Sequence, residues 1–231
     1  MLFSFLNMNL TVNEALMFLL ALVLVYGISL SFHEFAHAFV AYKQGDLTPK
    51  ITGRLTANPI KHLDFFGFLS FLCFGIGWGK PVQINPLNFK KYRTGIKCVS
   101  ISGVSANAIL MIIGSFFYCL LYFVVGELNM FLSFLILFFR WLMEINAFLV
   151  VFNLLPIYPL DGFNFVSSFL PSNSKFIDFN VRNSFKILLG IILFDLIFEI
   201  ITGISIVSYI LSSLAYYLYR PFELLFRLIF K

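Results

Sequence analysis

Charged residues are scarce in this chain, where they make up 12% of 231 residues, whereas a soluble domain averages about 25%. Hydrophobic residues instead make up 60% of the sequence, above the usual share of about 45–50%. So few charges and so many apolar side chains exclude a soluble globular protein. We therefore expect a protein that resides in the lipid bilayer.

Cysteine and histidine are rare as well, with three of each in the whole sequence. Cys73, Cys98 and Cys119 form no C-x-x-C pair, which argues against a disulfide framework and against a thiolate metal site. Three histidines are also too few for the centre of a membrane di-iron oxygenase. The 32 phenylalanines suit lipid-facing surfaces rather than base stacking, so we expect no nucleic-acid partner.

Long apolar runs, in contrast, are abundant, and several reach or approach the roughly 20 residues that a helix needs to cross the hydrocarbon core. We predict an all-α integral membrane protein with about five transmembrane helices. Their expected ranges are about 13–43, 95–125, 130–154, 185–201 and 204–219. Thr11 or Asn13 is the expected N-cap of the first helix, and Gly45 suits its C-terminal end.

Residues 44–94 interrupt this pattern with four prolines and a cluster of glycines. Non-helical backbone at membrane depth persists only where it is buried in protein or lines a wet cavity. We therefore expect a re-entrant loop or hairpin between the first two helices. The chain is expected to divide into a membrane-embedded core, residues 1–170, and a C-terminal part, residues 171–231, which contains a two-helix hairpin and a short basic amphipathic tail that begins at Pro221.

The basic residues predict how the chain crosses the membrane. Of sixteen Lys and Arg residues, nine lie between residues 43 and 97, three follow the third helix, and three follow the fifth. Because basic loops stay on the cytoplasmic side, we expect the segment 43–97 and the C-terminus inside the cell, and the N-terminus and the turn at Glu127 outside. The predicted location is the inner, cytoplasmic membrane.

The first predicted helix carries an H-E-x-x-H motif formed by His33, Glu34 and His37. Residues four apart differ by about 40° around a helix, so both imidazoles point from one face and can bind one zinc ion, with Glu34 beside them as a base. The structural alternative is a pair of core histidines. A rise of about 1.5 Å per residue places the two histidines about 9 and about 15 Å from Lys43, inside the membrane on its cytoplasmic side.

A catalytic zinc site usually has three protein ligands and an open position, so a third ligand must come from elsewhere in the chain. Five residues on the predicted cytoplasmic side are available: His62, Asp46, Asp64, Asp161 and Asp178. Asp161 stands out because it belongs to the sequence N-L-L-P-I-Y-P-L-D-G, in which two prolines break the third helix and Gly162 permits a sharp turn. An ordinary loop at a helix end is the alternative.

Together these motifs resemble the site-2 protease family of intramembrane zinc metalloproteases, in its compact bacterial form without PDZ or CBS domains. The main similarity is an H-E-x-x-H followed about 120 residues later by N-x-x-P-x-x-P-x-D-G. Residues 103–107 (G-V-S-A-N) resemble the G-x-x-x-N element of the family, and residues 79–86 (G-K-P-V-Q-I-N-P) resemble its G-K-P-V-x-x-N-P stretch. The similarity covers about residues 20–165.

The resemblance implies a three-helix catalytic core that cleaves a peptide bond within or next to a transmembrane segment of another membrane protein. It implies one zinc ion per chain, held by His33, His37 and Asp161, with Glu34 as the catalytic carboxylate. The alternative is a non-catalytic transporter or protease-like binder in which the histidine face takes a cation, although a retained Glu34 disfavours it.

Polar side chains elsewhere carry weaker signals. We expect Asn153 to stabilise the developing oxyanion and Asn107 to hydrogen-bond the substrate backbone, with interhelical hydrogen bonds as the alternative for both. Arg140 and Glu144 are four residues apart, as in a helical ion pair. His62 is expected in a solvated loop, with a role in gating or in support of the site as the alternative.

Overall fold

The computed structural model describes residues 11–74, 77–125, 129–171 and 173–230. The helices in chain order are α1 Val12–Gln44, α2 Thr48–Ile51, α3 Pro59–His62, α4 Phe65–Phe74, α5 Tyr92–Val124, α6 Met130–Asn153, α7 Asp161–Ser167, α8 Lys175–Thr202 and α9 Ile206–Phe230. Within these ranges β-structure is limited to one isolated bridge between Leu63 and Gly79. The predicted all-α architecture is confirmed, whereas the predicted turn at Glu127 lies outside the described residues.

Helices α1, α5 and α6 are each long and apolar enough to cross a membrane, and they pack against one another. Thr11 begins α1 with a capping box, in which its hydroxyl accepts from the Glu14 backbone N–H and the Glu14 carboxylate accepts from the Thr11 backbone N–H. Gly45 ends the helix with a φ of 111°, a left-handed conformation that glycine adopts without strain. The three helices agree with the first three predicted spans to within a few residues.

The prediction of two further separate spans is wrong for helices α8 and α9. Neither helix is long and apolar enough to be a span by itself. The two helices meet the condition only when taken together, and they are bent by 101° relative to each other. Serines and tyrosines lower the hydropathy of α9, and charged side chains divide α8 into short apolar runs: Lys175, Asp178, Arg182, Lys186, Asp195 and Glu199. The described part of the chain therefore has three candidate spans, or four if the bent pair counts as one, rather than five.

The tail predicted after Pro221 is also corrected, because α9 continues through this proline to Phe230. Proline inside a helix removes one backbone hydrogen bond, so packing must compensate for the loss. Phe226 and Phe230 both contact Phe116 of α5, with ring centroids 5.3 Å apart in each pair. The residues after the proline thus belong to the helix that packs on α5.

The segment between α1 and α5 forms the predicted hairpin. After α1 the chain runs back along this helix, where Phe71 of α4 stacks on Tyr26 with ring centroids 4.1 Å apart. Residues 77–88, which we call the returning segment, run in the opposite direction and lead back to the C-terminal end of α1. There the backbone N–H of Asn85 donates to the Asp46 carboxylate at 2.8 Å. The hairpin thus covers one side of α1 next to the H-E-x-x-H motif.

Candidate metal centre

His33 and His37 lie on one face of α1, one turn apart, as their four-residue spacing predicts. Both residues are 8% exposed, and their Nε2 atoms are 3.0 Å apart. The two rings meet nearly at right angles, with an interplanar angle of 89°. Both Nε2 atoms therefore face the same small volume.

Asp161 reaches this volume from the loop that follows α6. Its Oδ2 atom lies 3.4 Å from Nε2 of His33 and 3.3 Å from Nε2 of His37. Asp161 is the first residue of α7, and its neighbour must be glycine because a Cβ on Gly162 would collide with the carbonyl group of Leu154. The two motifs, far apart in the sequence, thus meet at one point.

The other nitrogen of each imidazole is held by an oxygen atom of α5. His33 Nδ1 is 2.6 Å from Oδ1 of Asn107, and His37 Nδ1 is 2.8 Å from the carbonyl oxygen of Val99. Amide and carbonyl oxygens only accept hydrogen bonds, so each Nδ1 carries the proton, and in the neutral imidazole each Nε2 then presents a lone pair. Such partners on the far nitrogen are typical of metal-binding histidines.

Helix α5 comes this close to the histidines because residue 103 is glycine. A Cβ on Gly103 would lie 2.5 Å from Nε2 of His37 and 2.6 Å from Cε1 of His33, closer than non-bonded carbon and nitrogen atoms approach. Asn107 follows one turn later and bonds to His33. The glycine of the G-x-x-x-N element therefore allows α5 to approach the two histidines, and its asparagine bonds to one of them.

The donor set fits a metal ion. Oδ2 of Asp161 is buried and has no hydrogen-bond partner among the described residues, although two imidazole nitrogens lie nearby. Three lone-pair atoms at 3.0–3.4 Å from one another repel unless a cation lies between them. Two imidazoles and one carboxylate also leave a fourth position open, as in catalytic zinc sites. In the described ranges, this is the only cluster of three His, Cys, Asp or Glu ligand atoms close enough to share an ion.

A cavity of about 260 Å³ opens beside the three ligand atoms. Glu34 lines this cavity, and its Oε2 atom accepts a hydrogen bond of 2.8 Å from the backbone N–H of Val82. Apolar side chains from the returning segment and from the loop before α7 form part of the wall: Pro81, Ile84, Pro159 and Leu160. The carboxylate of Glu34 thus shares a partly apolar cavity with the three ligands, a position that suits a general base.

The two asparagines predicted to contact substrate differ in position. Asn153 lines the cavity, and its Nδ2 atom donates to the carbonyl oxygen of Leu149 at 3.0 Å, which leaves its second N–H available. Asn107 is fully buried and lies outside the cavity lining. Its side chain bonds to His33 and to Asn146, so a contact with substrate would cost one of these bonds. Its contact with substrate stays a prediction.

The other candidates for the third ligand lie elsewhere and have partners of their own. The carboxylate of Asp46 accepts hydrogen bonds at the C-terminal end of α1. Asp64 accepts from the backbone N–H of Gly67 at 2.8 Å, and Asp178 pairs with Arg182 at 2.6 Å. Of the carboxylates considered from the sequence, only Asp161 therefore reaches the histidines.

His62 corrects the expectation of a solvated loop, since it is fully buried. Its Nε2 atom is 2.7 Å from the carbonyl oxygen of Thr56, and its own carbonyl accepts from the Lys80 backbone N–H at 2.7 Å. His62 therefore supports the base of the hairpin rather than the metal centre. The predicted ion pair between Arg140 and Glu144 is confirmed, with Nε and Oε1 2.9 Å apart.

Three groups that contribute to the site were not predicted from the sequence: Asn146, Ser29 and the backbone of Val82. Asn146 precedes Asn153 by seven residues and Ser29 precedes His33 by four, so each shares a helix face with a predicted site residue. Polar residues at such spacing inside apolar helices are a signal that could have identified both. The Val82 contact is made by the main chain, so no residue type marks it.

No protein-family model matches the chain, and no solved structure matches it. A relative that does match is the Bacillus subtilis (strain 168) protein named "Putative zinc metalloprotease YwhC". The two proteins are 44% identical over 151 residues, which cover 65% of this chain and 69% of the relative. With this identity over more than two thirds of the relative's length, the chain belongs to the same protein family as this Bacillus subtilis protein.

Proposed function

We propose that this protein is an intramembrane zinc metalloprotease of the site-2 protease type, which hydrolyses a peptide bond within or next to a transmembrane segment of another membrane protein. The observation that carries the proposal is the meeting of His33, His37 and Asp161 beside Glu34, among helices long enough to cross a membrane. The name of the Bacillus relative supports the same chemistry.

His33, His37 and Asp161 are the proposed ligands of one zinc ion per chain. When bound, zinc supplies Lewis acidity, which polarises a carbonyl group and makes water a stronger acid. The protein's part is to hold three ligand atoms in place and to leave the fourth side open toward the cavity. The buried Oδ2 atom of Asp161, with no hydrogen-bond partner among the described residues, supports this assignment.

Glu34 is the proposed general base and acid. Its carboxylate lines the cavity beside the ligands, so it can take a proton from an attacking water and return it to the leaving amine. One oxygen, Oε2, is engaged by the N–H of Val82. The other, Oε1, makes no hydrogen bond within the described part of the chain, and is the atom we assign to the proton transfer.

Asn153 is the proposed donor to the substrate carbonyl oxygen as negative charge develops there. It lines the same cavity and keeps one amide N–H unused. For Asn107, a direct hydrogen bond to the substrate backbone remains the hypothesis from the sequence. Its observed partners, His33 and Asn146, favour a supporting role at the metal centre.

An extended peptide is the form of substrate that suits this cavity. One turn of a helix, about 10–12 Å wide and about 5.4 Å long, occupies roughly 500 Å³ and bonds its peptide groups internally, whereas the cavity holds about 260 Å³. A transmembrane substrate must therefore unwind locally before a peptide carbonyl can reach Glu34 and Asn153.

From the distribution of basic residues, we place the protein in the inner membrane with its N-terminus outside and its site toward the cytoplasm.

The proposal is tested by incubating the purified protein with a panel of single-span substrate proteins, with and without a chelator. Wild type should cleave, and chelation should stop cleavage. Glu34→Gln should lower the cleavage rate by about 10²–10⁴-fold, the usual contribution of a general base, while zinc stays bound. Glu199→Gln is the matched control, because Glu199 lies exposed on α8, and this variant should cleave like wild type.

The outcomes separate the competing assignments. Cleavage by Glu34→Gln at the wild-type rate would remove Glu34 from the mechanism. A wild-type protein that binds zinc but cleaves none of the panel would favour the cation-binding alternative over a protease. Cleavage that persists in chelator, with no zinc in the protein, would overturn the proposed metal centre.

A further inference from the structure

A chain of hydrogen bonds runs from a backbone carbonyl of α6 to the metal centre. Nδ2 of Asn146 donates to the carbonyl oxygen of Leu142 at 2.7 Å and to Oγ of Ser29 at 2.9 Å. Nδ2 of Asn107 donates to Oδ1 of Asn146 at 2.8 Å, and Oδ1 of Asn107 is 2.6 Å from Nδ1 of His33. Ser29, Asn107 and Asn146 are each 0% exposed, so no bulk water competes for these bonds.

The direction of every bond in this chain is fixed at its start. The Leu142 carbonyl can only accept, so Asn146 must present its NH₂ group there and its oxygen to Asn107. Asn107 must then present its own NH₂ group to Asn146, where the backbone carbonyl of Ser29 also lies within 3.4 Å. The oxygen of Asn107 is left to face His33. Because this oxygen only accepts, the proton of His33 lies on Nδ1.

We propose that Asn146 is a positioning residue for metal binding: by orienting the amide of Asn107, it holds His33 in the tautomer whose Nε2 atom can bind the ion. The inference rests on the proposed metal centre and adds Asn146 to it. If the Asn107 amide were reversed, its NH₂ group would face Nδ1 of His33. The proton would then move to Nε2, where it blocks coordination.

The two histidines differ in their need for such an orienting residue. His37 Nδ1 faces the backbone carbonyl of Val99, which is part of α5 and cannot reverse. His33 Nδ1 faces a side-chain amide, which presents either an oxygen or an NH₂ group after rotation by about 180° about its last bond. Only His33 therefore depends on an orienting contact, and Asn146 makes the shorter of the two contacts at the other end of that amide, 2.8 Å against 3.4 Å to the carbonyl oxygen of Ser29.

Two substitutions at position 146 separate an orienting role from a packing role. Asn146→Asp keeps an acceptor toward Asn107 and, as the neutral acid, a donor toward the Leu142 carbonyl, so the affinity for Zn²⁺ should stay close to that of wild type. Asn146→Leu removes the acceptor but fills a similar volume, and the affinity should fall by up to about 10–100-fold, the usual range when the hydrogen-bond support of a metal ligand is disturbed. A packing role predicts the opposite order, since a buried carboxylate is costlier than a buried leucine.

Affinity is measured on the purified full chain in detergent, with Zn²⁺ alone in competition with a chromogenic chelator. Asn180→Leu is the matched control, because Asn180 is also buried and donates to the carbonyl four residues earlier, that of Phe176, at 3.3 Å. It should keep wild-type affinity. Equal affinity in wild type and Asn146→Leu would overturn the inference, whereas a wild type that binds no zinc would overturn the metal centre itself.

A second measurement needs no metal. The chain has three histidines, so ¹⁵N-histidine labelling of the metal-free protein yields few signals, and nitrogen shifts distinguish protonated from unprotonated ring nitrogens. Wild type should carry the His33 proton on Nδ1, and Asn146→Leu should show a mixture. Asn146→Ser, which is too short to reach Asn107, serves the same purpose if Asn146→Leu does not fold. A His33 proton that stays on Nδ1 in these variants would contradict the proposal.

Discussion

The buried unit formed by α1, α5 and α6 and the C-terminal pair α8 and α9 satisfy their polar side chains in different ways. In the unit, hydrogen bonds cross between helices and span long sequence separations, as from Asn107 to His33 and from Asn146 to Ser29. In the pair, the charged side chains bond to residues three to twelve positions away, as Arg182 does to Asp178 and Asp195 does to the backbone N–H of Val207.

This difference indicates where the function resides. A polar network inside a membrane protein is costly unless every member is satisfied, so a network that joins three helices has a purpose that apolar packing would not serve. Local ion pairs on an exposed helix contribute little. Substitutions in the unit should therefore change metal binding, while matched substitutions in the C-terminal pair should change local stability at most.

The largest contrast is expected between two aspartates. Asp161→Ala removes the proposed third ligand, whose Oδ2 atom lies within 3.4 Å of both imidazole Nε2 atoms. The zinc content after dialysis should fall from about one per chain to near zero, because a catalytic zinc usually needs three protein ligands. Asp178→Ala breaks only an exposed pair with Arg182 and should leave the zinc content unchanged. Equal zinc in the two variants would move the third ligand elsewhere.

Two helical glycines give the next contrast. Gly103→Ala places a Cβ 2.5 Å from Nε2 of His37, so α5 must move away from α1, at a cost of about 1–3 kcal/mol and with weaker zinc binding. Gly190→Ala meets no atom within 4 Å and should stabilise α8 by up to about 1 kcal/mol. Thermal unfolding and zinc titration report both effects. Wild-type zinc affinity in Gly103→Ala would show that the close helix contact is dispensable.

Local signals explain what could be predicted from the sequence. Apolar runs mark α1, α5 and α6, and a cap residue and Gly45 mark the ends of α1. The H-E-x-x-H motif selected His33 and His37, and the second motif together with the resemblance to the site-2 protease family selected Asp161; the structure brings the three together. These features depend on residues that are neighbours in the chain, which is why no tertiary information was needed.

Contacts between distant residues explain what could not be predicted. The continuation of α9 through Pro221 depends on Phe226 and Phe230 packing against α5, which outweighs the usual effect of proline. The sequence likewise predicts a turn between α8 and α9 but not the angle of 101° between the two helices. Asn107 was expected to bond to the substrate backbone, with interhelical hydrogen bonds as the alternative. Its burial and its bond to Asn146 become visible only once three helices are assembled.

The smallest contrast concerns the aspartates that hold loops in place. Asp46 is 0% exposed, and its carboxylate accepts from the backbone N–H and hydroxyl of Thr48 and from Asn85 and Asn88. It thereby anchors the end of the returning segment to α1. Among the described residues, Asp195 accepts two hydrogen bonds, from the hydroxyl of Ser205 and from the backbone N–H of Val207. Asp46→Asn should therefore slow cleavage, and Asp195→Asn should not.

The stability of Asp46 variants should also depend on pH with a defined sign. Burial tends to raise the pKa of Asp46, but the hydrogen bonds from Thr48, Asn88 and Asn85 outweigh it and lower this pKa. The ionised carboxylate therefore stabilises the fold at pH above the ordinary aspartate pKa, and this contribution disappears as the pH falls through the lowered pKa. Asp46→Asn should lose about 1–3 kcal/mol at neutral pH and much less in acid, where wild type loses the same contribution. Unfolding curves from about pH 7 to about pH 2 measure the free energy of unfolding of both proteins. If the difference between wild type and Asp46→Asn is constant over that range, the charge of Asp46 does not hold the returning segment in place.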